Sequence, residues 1–332
     1  MATYKEIKGV KVQSLASDPP AAQSVGQLWY NTTSNVLKYS VEGAGAWASA
    51  NDMVEAKDAA GWCGTQTAAM AFGGRNTTTT YLTDAQTYNG TAWAETAALL
   101  STVYQNAGFG TTTAAMSAGG EPGRDASVSW NGTSWTAAND LQLGRRHVQG
   151  CGTQTAGLIS GGTIPATPAP TYRDATEIYD GTSWAAASNQ SAAGSARATF
   201  GTTTAALATA GTTAASPNQS DLTESYNGTS WTEVGDLNTI KNNLAGSGTQ
   251  TAGIVFGGFA PPGDTATAAT EKWDGTSWTE VGDLATARAQ LGGGQASPNT
   301  ASIAFGGEGP PALTATEEWN DPVYAIKTVT TS

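Results

Sequence analysis

The sequence predicts an all-β fold, a propeller-like array of small antiparallel sheets, on three observations. A five-residue word recurs as Asn89-Gly90-Thr91-Ala92-Trp93, Asn131-Gly132-Thr133-Ser134-Trp135, Asp180-Gly181-Thr182-Ser183-Trp184, Asn227-Gly228-Thr229-Ser230-Trp231 and Asp274-Gly275-Thr276-Ser277-Trp278, with a blurred copy, Gly43-Ala44-Gly45-Ala46-Trp47, ahead of them. The six tryptophans lie 46, 42, 49, 47 and 47 residues apart, and a period of roughly 40–50 residues marks a propeller array. Asn-Gly and Asp-Gly are strong hairpin signals, since type I′ turns need two residues at positive φ. Each word is therefore expected to join two antiparallel strands. Finally, 11 Trp and 10 Tyr recur at repeating places in a chain with only 13% charged residues. Such large apolar surfaces need burial, which argues against disorder despite 41 Gly.

The 332 residues could hold two domains, but the repeat covers nearly all of them, and repeat units bury their apolar faces only against neighbours. The expected organisation is an N-terminal arm, residues 1–20, before a propeller over residues 21–332. A net charge of −12 disfavours nucleic acid and anionic membranes as partners. No signal peptide stands at Met1 to Gln13, and no apolar run of about 18 residues predicts membrane insertion.

In the arm, Tyr4 to Val12 alternates like one strand and Asp18-Pro19-Pro20 stops it. Lys5, Lys8 and Lys11 make it basic, with only Lys38 joining them before position 40: either a docking arm for an acidic neighbour or a lysine-protected strand edge. Gln27–Tyr30, Val36–Ser40 and Ala46–Ser49 read as strands of a first, atypical repeat. From residue 60 each unit reads as four strands. The first runs into a Thr-Gln-Thr turn; the second ends in paired glycines such as Gly73-Gly74, weakened to Ala210-Gly211 in the fourth unit. The third ends in an aromatic (Tyr88, Trp130, Tyr179, Tyr226, Trp273, Trp319), and the fourth opens with the tryptophan. Loops of variable length follow the second strand, the longest Thr163 to Arg173 with Pro165, Pro168 and Pro170; insertions on one face often make it the binding face. After Trp319, Val323–Val329 reads as a plain strand. Counting the N-terminal repeat gives seven blades; in the six-blade alternative the Trp47 strand completes the last blade.

The paired glycines, aromatic and tryptophan, in that order, resemble the kelch repeat of β-propellers over about residues 60–320. The pattern departs in spacing: four residues separate aromatic from tryptophan where kelch repeats have about six. Gly26-Gln27-Leu28-Trp29-Tyr30-Asn31-Thr32-Thr33-Ser34-Asn35 resembles hairpins of tailed-bacteriophage virion proteins, including tail fibres.

Chemistry is sparse. Kelch-type galactose oxidases bind copper through paired histidines, and this chain has one, His147, read as solvated or hydrogen-bonded. Asp180-Gly181-Thr182-Ser183-Trp184 is similar to a sialidase Asp box, but its glycine follows the aspartate directly. Glu177, Glu224, Glu271 and Glu317 recur two places before the aromatic; Arg145, Lys241 and Arg288, with Arg197 less securely aligned, recur before the first strand. A carboxylate ring for a cation or sugar is one reading; structural pairs between blades, worth about 0–1 kcal/mol each at a surface, is the favoured one. Cys63 and Cys151, with Ser247 in the same slot, read as small buried thiols. Asn31, Asn76, Asn89, Asn131 and Asn227 sit in glycosylation sequons that turn chemistry already explains. The expected function is thus non-enzymatic, with no catalytic, metal or cofactor residues. The resemblances imply a phage virion component, tail or fibre associated, made in the host cytoplasm and assembled in multiple copies. Its loops would contact other virion proteins, a host receptor or a surface glycan. The alternatives are a carbohydrate-active enzyme or glycan-binding module, and a cellular kelch scaffold.

Overall fold

A computed structural model describes residues 12–76, 80–122, 124–165, 169–214, 218–308 and 313–329. The strand expected over Tyr4–Val12, with Lys5, Lys8 and Lys11, lies outside the described residues apart from Val12, as does Pro168. Contacts divide the chain into two units, one of residues 12–46 with 321–329 and one of residues 47–320. The sequence places a boundary at residue 20; the contacts group the residues on either side of it, because strands there pair with one another and with the C-terminal strand.

In the smaller unit, Leu28–Asn31 pairs in parallel with Gln13–Leu15 and antiparallel with Val36–Gly43, which pairs in turn with Val323–Thr328. Asp18 is its polar centre. Its carboxylate accepts hydrogen bonds from Trp29 Nε1 (3.0 Å), Asn31 Nδ2 (2.6 Å) and Lys38 Nζ (2.6 Å). The Lys38, Asn31 and Trp29 bonds hold the Asp18 carboxyl down at about 2. Leu28–Asn31 and Val36–Gly43, expected to open the first repeat, thus belong to a sheet of their own.

The larger unit is all-β and propeller-like, built of four-stranded antiparallel sheets. Sheet 1 is Gly61–Thr65, Ala68–Phe72, Ala85–Tyr88 and Trp93–Thr96; sheet 2 is Ala107–Thr111, Ala114–Ala118, Ser127–Trp130 and Trp135–Ala137. Sheet 3 is Gln149–Thr153, Ala156–Ser160, Thr176–Tyr179 and Trp184–Ala187; sheet 4 is Ala198–Thr202, Ala205–Thr209, Thr223–Tyr226 and Trp231–Glu233. Sheet 5 is Ala245–Thr249, Ala252–Phe256, Thr270–Trp273 and Trp278–Glu280. Sheet 6 is Gly292–Gly293, Ala301–Phe305 and Thr316–Asn320, with Ala46–Ala50 as its fourth strand. The first strand of each sheet lies beside that of the next, and Gly292–Gly293 lies beside both Ala245–Thr249 and Gly61–Thr65.

The third and fourth strands join as the hairpin words require, but not through type I′ turns. Tyr88 and Trp93 are the closing pair, leaving four loop residues, and in that loop only Gly90 has positive φ (86°). The Asn89 side chain replaces the second left-handed residue: its Oδ1 accepts Thr91 N–H and Ala92 N–H, both at 2.9 Å. Asn131, Asp180, Asn227 and Asp274 repeat this arrangement. The paired glycines do need left-handed backbone. A Cβ on Gly73 (φ 66°) would lie 2.5 Å from the Val103 carbonyl oxygen, and Ala210 adopts φ 64° in the fourth copy.

Each fourth-strand tryptophan wedges onto the preceding sheet, where its buried indole N–H needs an acceptor. Trp184 Nε1 donates to Ser127 Oγ, Trp231 to Thr176 Oγ1, Trp278 to Thr223 Oγ1, Trp93 to Thr316 Oγ1 and Trp47 to Thr270 Oγ1, at 2.9–3.2 Å. Sheet 1 has Ala85 at that place, and Trp135 turns to the Ala97 carbonyl at 3.1 Å. The tryptophans also pack at 5.0–5.3 Å, tilted by 35–42°, against the third-strand aromatics, as Trp231 on Tyr226. Glutamines of the Thr-Gln-Thr turns grip the preceding sheet as well: Gln66 Nε2 reaches the Trp319 carbonyl at 2.7 Å, and Gln154 and Gln250 reach those of Trp130 and Tyr226.

Candidate functional site

The recurring charges meet in pairs, but not at a surface. Arg145 binds Glu177 (3.2 Å), Arg197 binds Glu224 (2.8 Å), Lys241 binds Glu271 (3.0 Å) and Arg288 binds Glu317 (2.8 Å), and no side chain among them is more than 3% exposed. The weight suited to exposed pairs therefore does not apply; removing one partner from such a pair costs about 3–5 kcal/mol by stranding the other charge. Burial presses Arg145 down to about 10 and lowers Arg197, Lys241 and Arg288 too, against the pull of their glutamates. Each glutamate also accepts backbone N–H groups of the segment entering its sheet: Gln142 on Glu177 (2.8 Å), Ser191 on Glu224 (2.6 Å), Asn238 on Glu271 (2.8 Å) and Ala285 on Glu317 (2.7 Å). Carboxylates so occupied tie the connecting segments to the sheets.

Arg197 stands three residues later than its counterparts. Gly194 takes their sequence position, and a Cβ there would lie 2.8 Å from the Arg197 Nε, so the guanidinium fills the space a side chain would need. In sheet 2 the pair is apolar: Val103 and Val128 occupy the two places and pack on the same core cluster. In sheet 1, Lys57 binds Asp84, and Gln86 Oε1 accepts Val54 N–H at 2.9 Å in the glutamate's stead.

A second repeating position lies two residues before the first strands. Ala59, Gln105, His147, Ala196, Asn243 and Gln290 all have φ between 49° and 58°. Ala59 N–H donates to Gln290 O, Gln105 to Ala59, Ala196 to His147, Asn243 to Ala196 and Gln290 to Asn243, at 2.7–3.0 Å. This backbone relay runs from His147 through sheets 4, 5 and 6 to sheets 1 and 2. It frames a mouth onto which the loops between second and third strands open.

Charged and aromatic groups edge that mouth. Arg75 holds Asp58 (2.6 Å) and Glu308 (3.4 Å). Arg146 binds Glu121 and donates to Tyr104 Oη at 3.2 Å. Tyr104 stacks on the exposed Tyr81 with ring centroids 4.2 Å apart. Burial, partly offset by Arg75, raises Asp58 to about 6. Burial first, then the positive field of Arg146, lowers His147 to about 4. His147, half-buried where it lines the pocket, is thus uncharged at neutral pH.

Inside the mouth a small pocket of about 30 Å³ is lined by Trp62, Gln105, Asn106, His147, Asn243 and Gln290, among others. The opposite ends of the first strands border a wider hollow of about 500 Å³, lined by Thr153, Thr202, Thr249 and Gln295. Between them Gln295 Nε2 donates across from sheet 6 to the Gly150 carbonyl of sheet 3, at 2.6 Å.

No protein-family model matches this sequence, and no curated protein matches it. The remaining sequence candidates are structural. Cys63 and Cys151 are buried free thiols; burial pushes Cys151 up to about 12 and Cys63 further. Asp180 caps its own turn, and the Ser183 and Thr182 N–H groups lower its carboxyl. Among the described residues no three His, Cys, Asp or Glu side chains are grouped to hold a metal, and no helix is long and apolar enough to cross a membrane. Sequence reasoning missed Trp62, Gln105, Asn106, Gln290 and Gln295. Gln105 and Gln290 share a backbone place, two residues before a first strand, rather than a residue type, so the one signal available for them was that offset; Trp62, Asn106 and Gln295 stand at other offsets.

Proposed function

We propose that this chain is a kelch-like propeller of six blades, closed where Ala46–Ala50 completes the sheet of Ala301–Phe305 and Thr316–Asn320, and that it binds rather than catalyses. The observation carrying the closure is the hydrogen-bond relay Gln290–Ala59–Gln105, which joins the last sheet to the first. Trp47 supports it by donating to Thr270 of sheet 5 as the other tryptophans do to their preceding sheets. A binding role is favoured because the recurring glutamates are occupied by buried cations and backbone N–H groups, leaving none for acid–base work.

We further propose that it is a component of a tailed-phage virion, tail or fibre associated and present in multiple copies, contacting other virion proteins or a host receptor through the loops around the mouth. This rests on the Gly26–Asn35 resemblance, whose residues form the hairpin of Leu28–Asn31 with Val36–Gly43. Particles purified from a producing culture and probed with antibody to this chain should carry it at fixed stoichiometry, and removing residues 1–11 should abolish incorporation while the purified chain melts unchanged. Absence from particles would end the virion reading. A glycan ligand is the second reading, favoured by the neutral polar lining of the mouth.

A further inference from the structure

The four-stranded sheet of the smaller unit has one covered face and one bare face. Side chains alternate between faces along a strand, and residues paired across strands share a face. On the covered face Trp29, Asn31 and Ser40 are buried. Asp18 holds Trp29 and Asn31 there, and Ser40 Oγ donates to the Ala21 carbonyl at 2.6 Å. The opposite face carries Leu28, Tyr30, Leu37, Tyr39 and Val41, with Leu28 paired to Tyr39, Tyr30 to Leu37 and Val41 to Ala325. None of these side chains is buried, and Tyr30 is 37% exposed. An antiparallel sheet with one face in water normally presents polar residues on that face. Five large apolar side chains in their place mark an interaction surface. The unit also has no core of its own: among its described residues Trp29 is the one buried apolar side chain, and units this small gain stability by association.

We propose that this bare face is where two copies of the chain meet, sheet on sheet. The inference goes beyond the roles proposed above, since its residues are not those of the mouth and it does not depend on a virion. Charge selects the partner. Residues 47–320 hold 23 Asp and Glu against 10 Lys and Arg, net −13, and so repel their own copies. The described residues of the smaller unit hold Asp18, Glu42 and Asp321 against Lys38 and Lys327, net −1. Among the described strand residues Lys327, on the edge strand beside Tyr39, is the one charge on the bare face, and at a rim its ammonium keeps its water. A strongly charged partner finds little there to pair with, whereas a second copy presents the same apolar groups. Strands about 4.8 Å apart and about 25 Å long at most give a face of no more than about 500 Å². Two copies would bury about 1,000 Å², the low end of specific interfaces, so the dimer should be reversible with a Kd of roughly micromolar order.

Sedimentation equilibrium of the full-length chain from about 1 μM to 1 mM should show monomer and dimer exchanging with concentration. Raising salt from about 0.05 M to 0.5 M should tighten the dimer about threefold or more, because it screens the acidic larger units and leaves apolar contact intact. Tyr30→Lys and Leu37→Lys should each weaken the dimer about tenfold or more by placing a charge in that contact. Tyr30→Phe should associate as the parent does. So should Tyr324→Lys, which puts the same charge at an exposed position paired with Glu42, on the covered face. Every variant should keep the parent's melting transition, since none of the three positions is buried. The proposal falls if the chain stays monomeric throughout that range, if salt loosens the dimer, or if Tyr324→Lys weakens it as much as Tyr30→Lys and Leu37→Lys do. Particle location is read separately, so failure here leaves the virion reading standing, and the reverse holds too.

Discussion

His147 shows how far environment outweighs residue type. Its imidazole is half-buried beside Arg146 and Arg75, whose field Glu121 offsets in part, and so stays neutral in the folded chain where a free histidine would titrate near 6.5. Its NMR titration should therefore centre near pH 4. A group with a depressed folded pKa contributes stability that is present above its unfolded value and lost as pH falls through the folded one. Folding stability should thus drop between pH 6.5 and 4, and His147→Ala should flatten that part of the curve. Asp58, raised to about 6, acts with the opposite sign: its contribution grows as pH falls through 6 and is complete below its unfolded value. Asp58→Asn should hence steepen the loss that His147 causes. At the tryptophans, Trp184→Ala should cost about 3–5 kcal/mol and Thr176→Val, which strands the Trp231 indole N–H, about 1–3 kcal/mol. Urea denaturation measures both.

At the scale of elements, the connecting segments are held by buried ion pairs, and the chain carries its own control in sheet 2. There Val103 and Val128 stand where Arg145 and Glu177, or Arg288 and Glu317, stand elsewhere. Breaking a buried pair is expensive while replacing both charges by apolar groups is near neutral. Glu177→Val alone should cost about 3–5 kcal/mol, and Arg145→Val added to it should recover most of that; a double variant no more stable than the single would show that the Gln142 and Leu143 N–H bonds to Glu177 carry the energy. The recurrence of these residues was legible in the sequence, as was their pairing, although the pairs expected between blades instead tie each connecting segment to the sheet it enters. Their burial was not, because periodicity locates a charge along a strand without saying whether a neighbouring sheet covers it. The turns were half legible: Asn-Gly and Asp-Gly marked the hairpins between third and fourth strands in sheets 1 to 5, while the side-chain bonds that let one left-handed residue suffice depend on the loop closing at Tyr88 and Trp93.

For the whole molecule, the decisive strand is Ala46–Ala50. If it completes the sixth sheet, Trp47 is an interior wedge: its ring lies 4.7 Å from Phe256 and 5.7 Å from Trp319. Trp47→Ala should then cost about 3 kcal/mol, close to Trp184→Ala, although Trp47 stands in the most blurred copy of the repeat. A loss under about 1 kcal/mol would place it at an edge. Gln295 is the other whole-molecule feature, since its bond to Gly150 joins sheets distant in sequence.

By itself the sequence determined the period, the strand order within each unit, the glycine pairs and the aromatic wedges, because these depend on local backbone needs and on a strict repeat. Only the tertiary structure decided that Leu28–Asn31 and Val36–Gly43 join Val323–Thr328 in a separate sheet, that four charge pairs are buried, and that Trp62, Gln105, Asn106 and Gln290 converge on one pocket. Convergence of that kind is set by where successive units place equivalent backbone atoms, and residue identity at those places is free to vary from alanine to histidine.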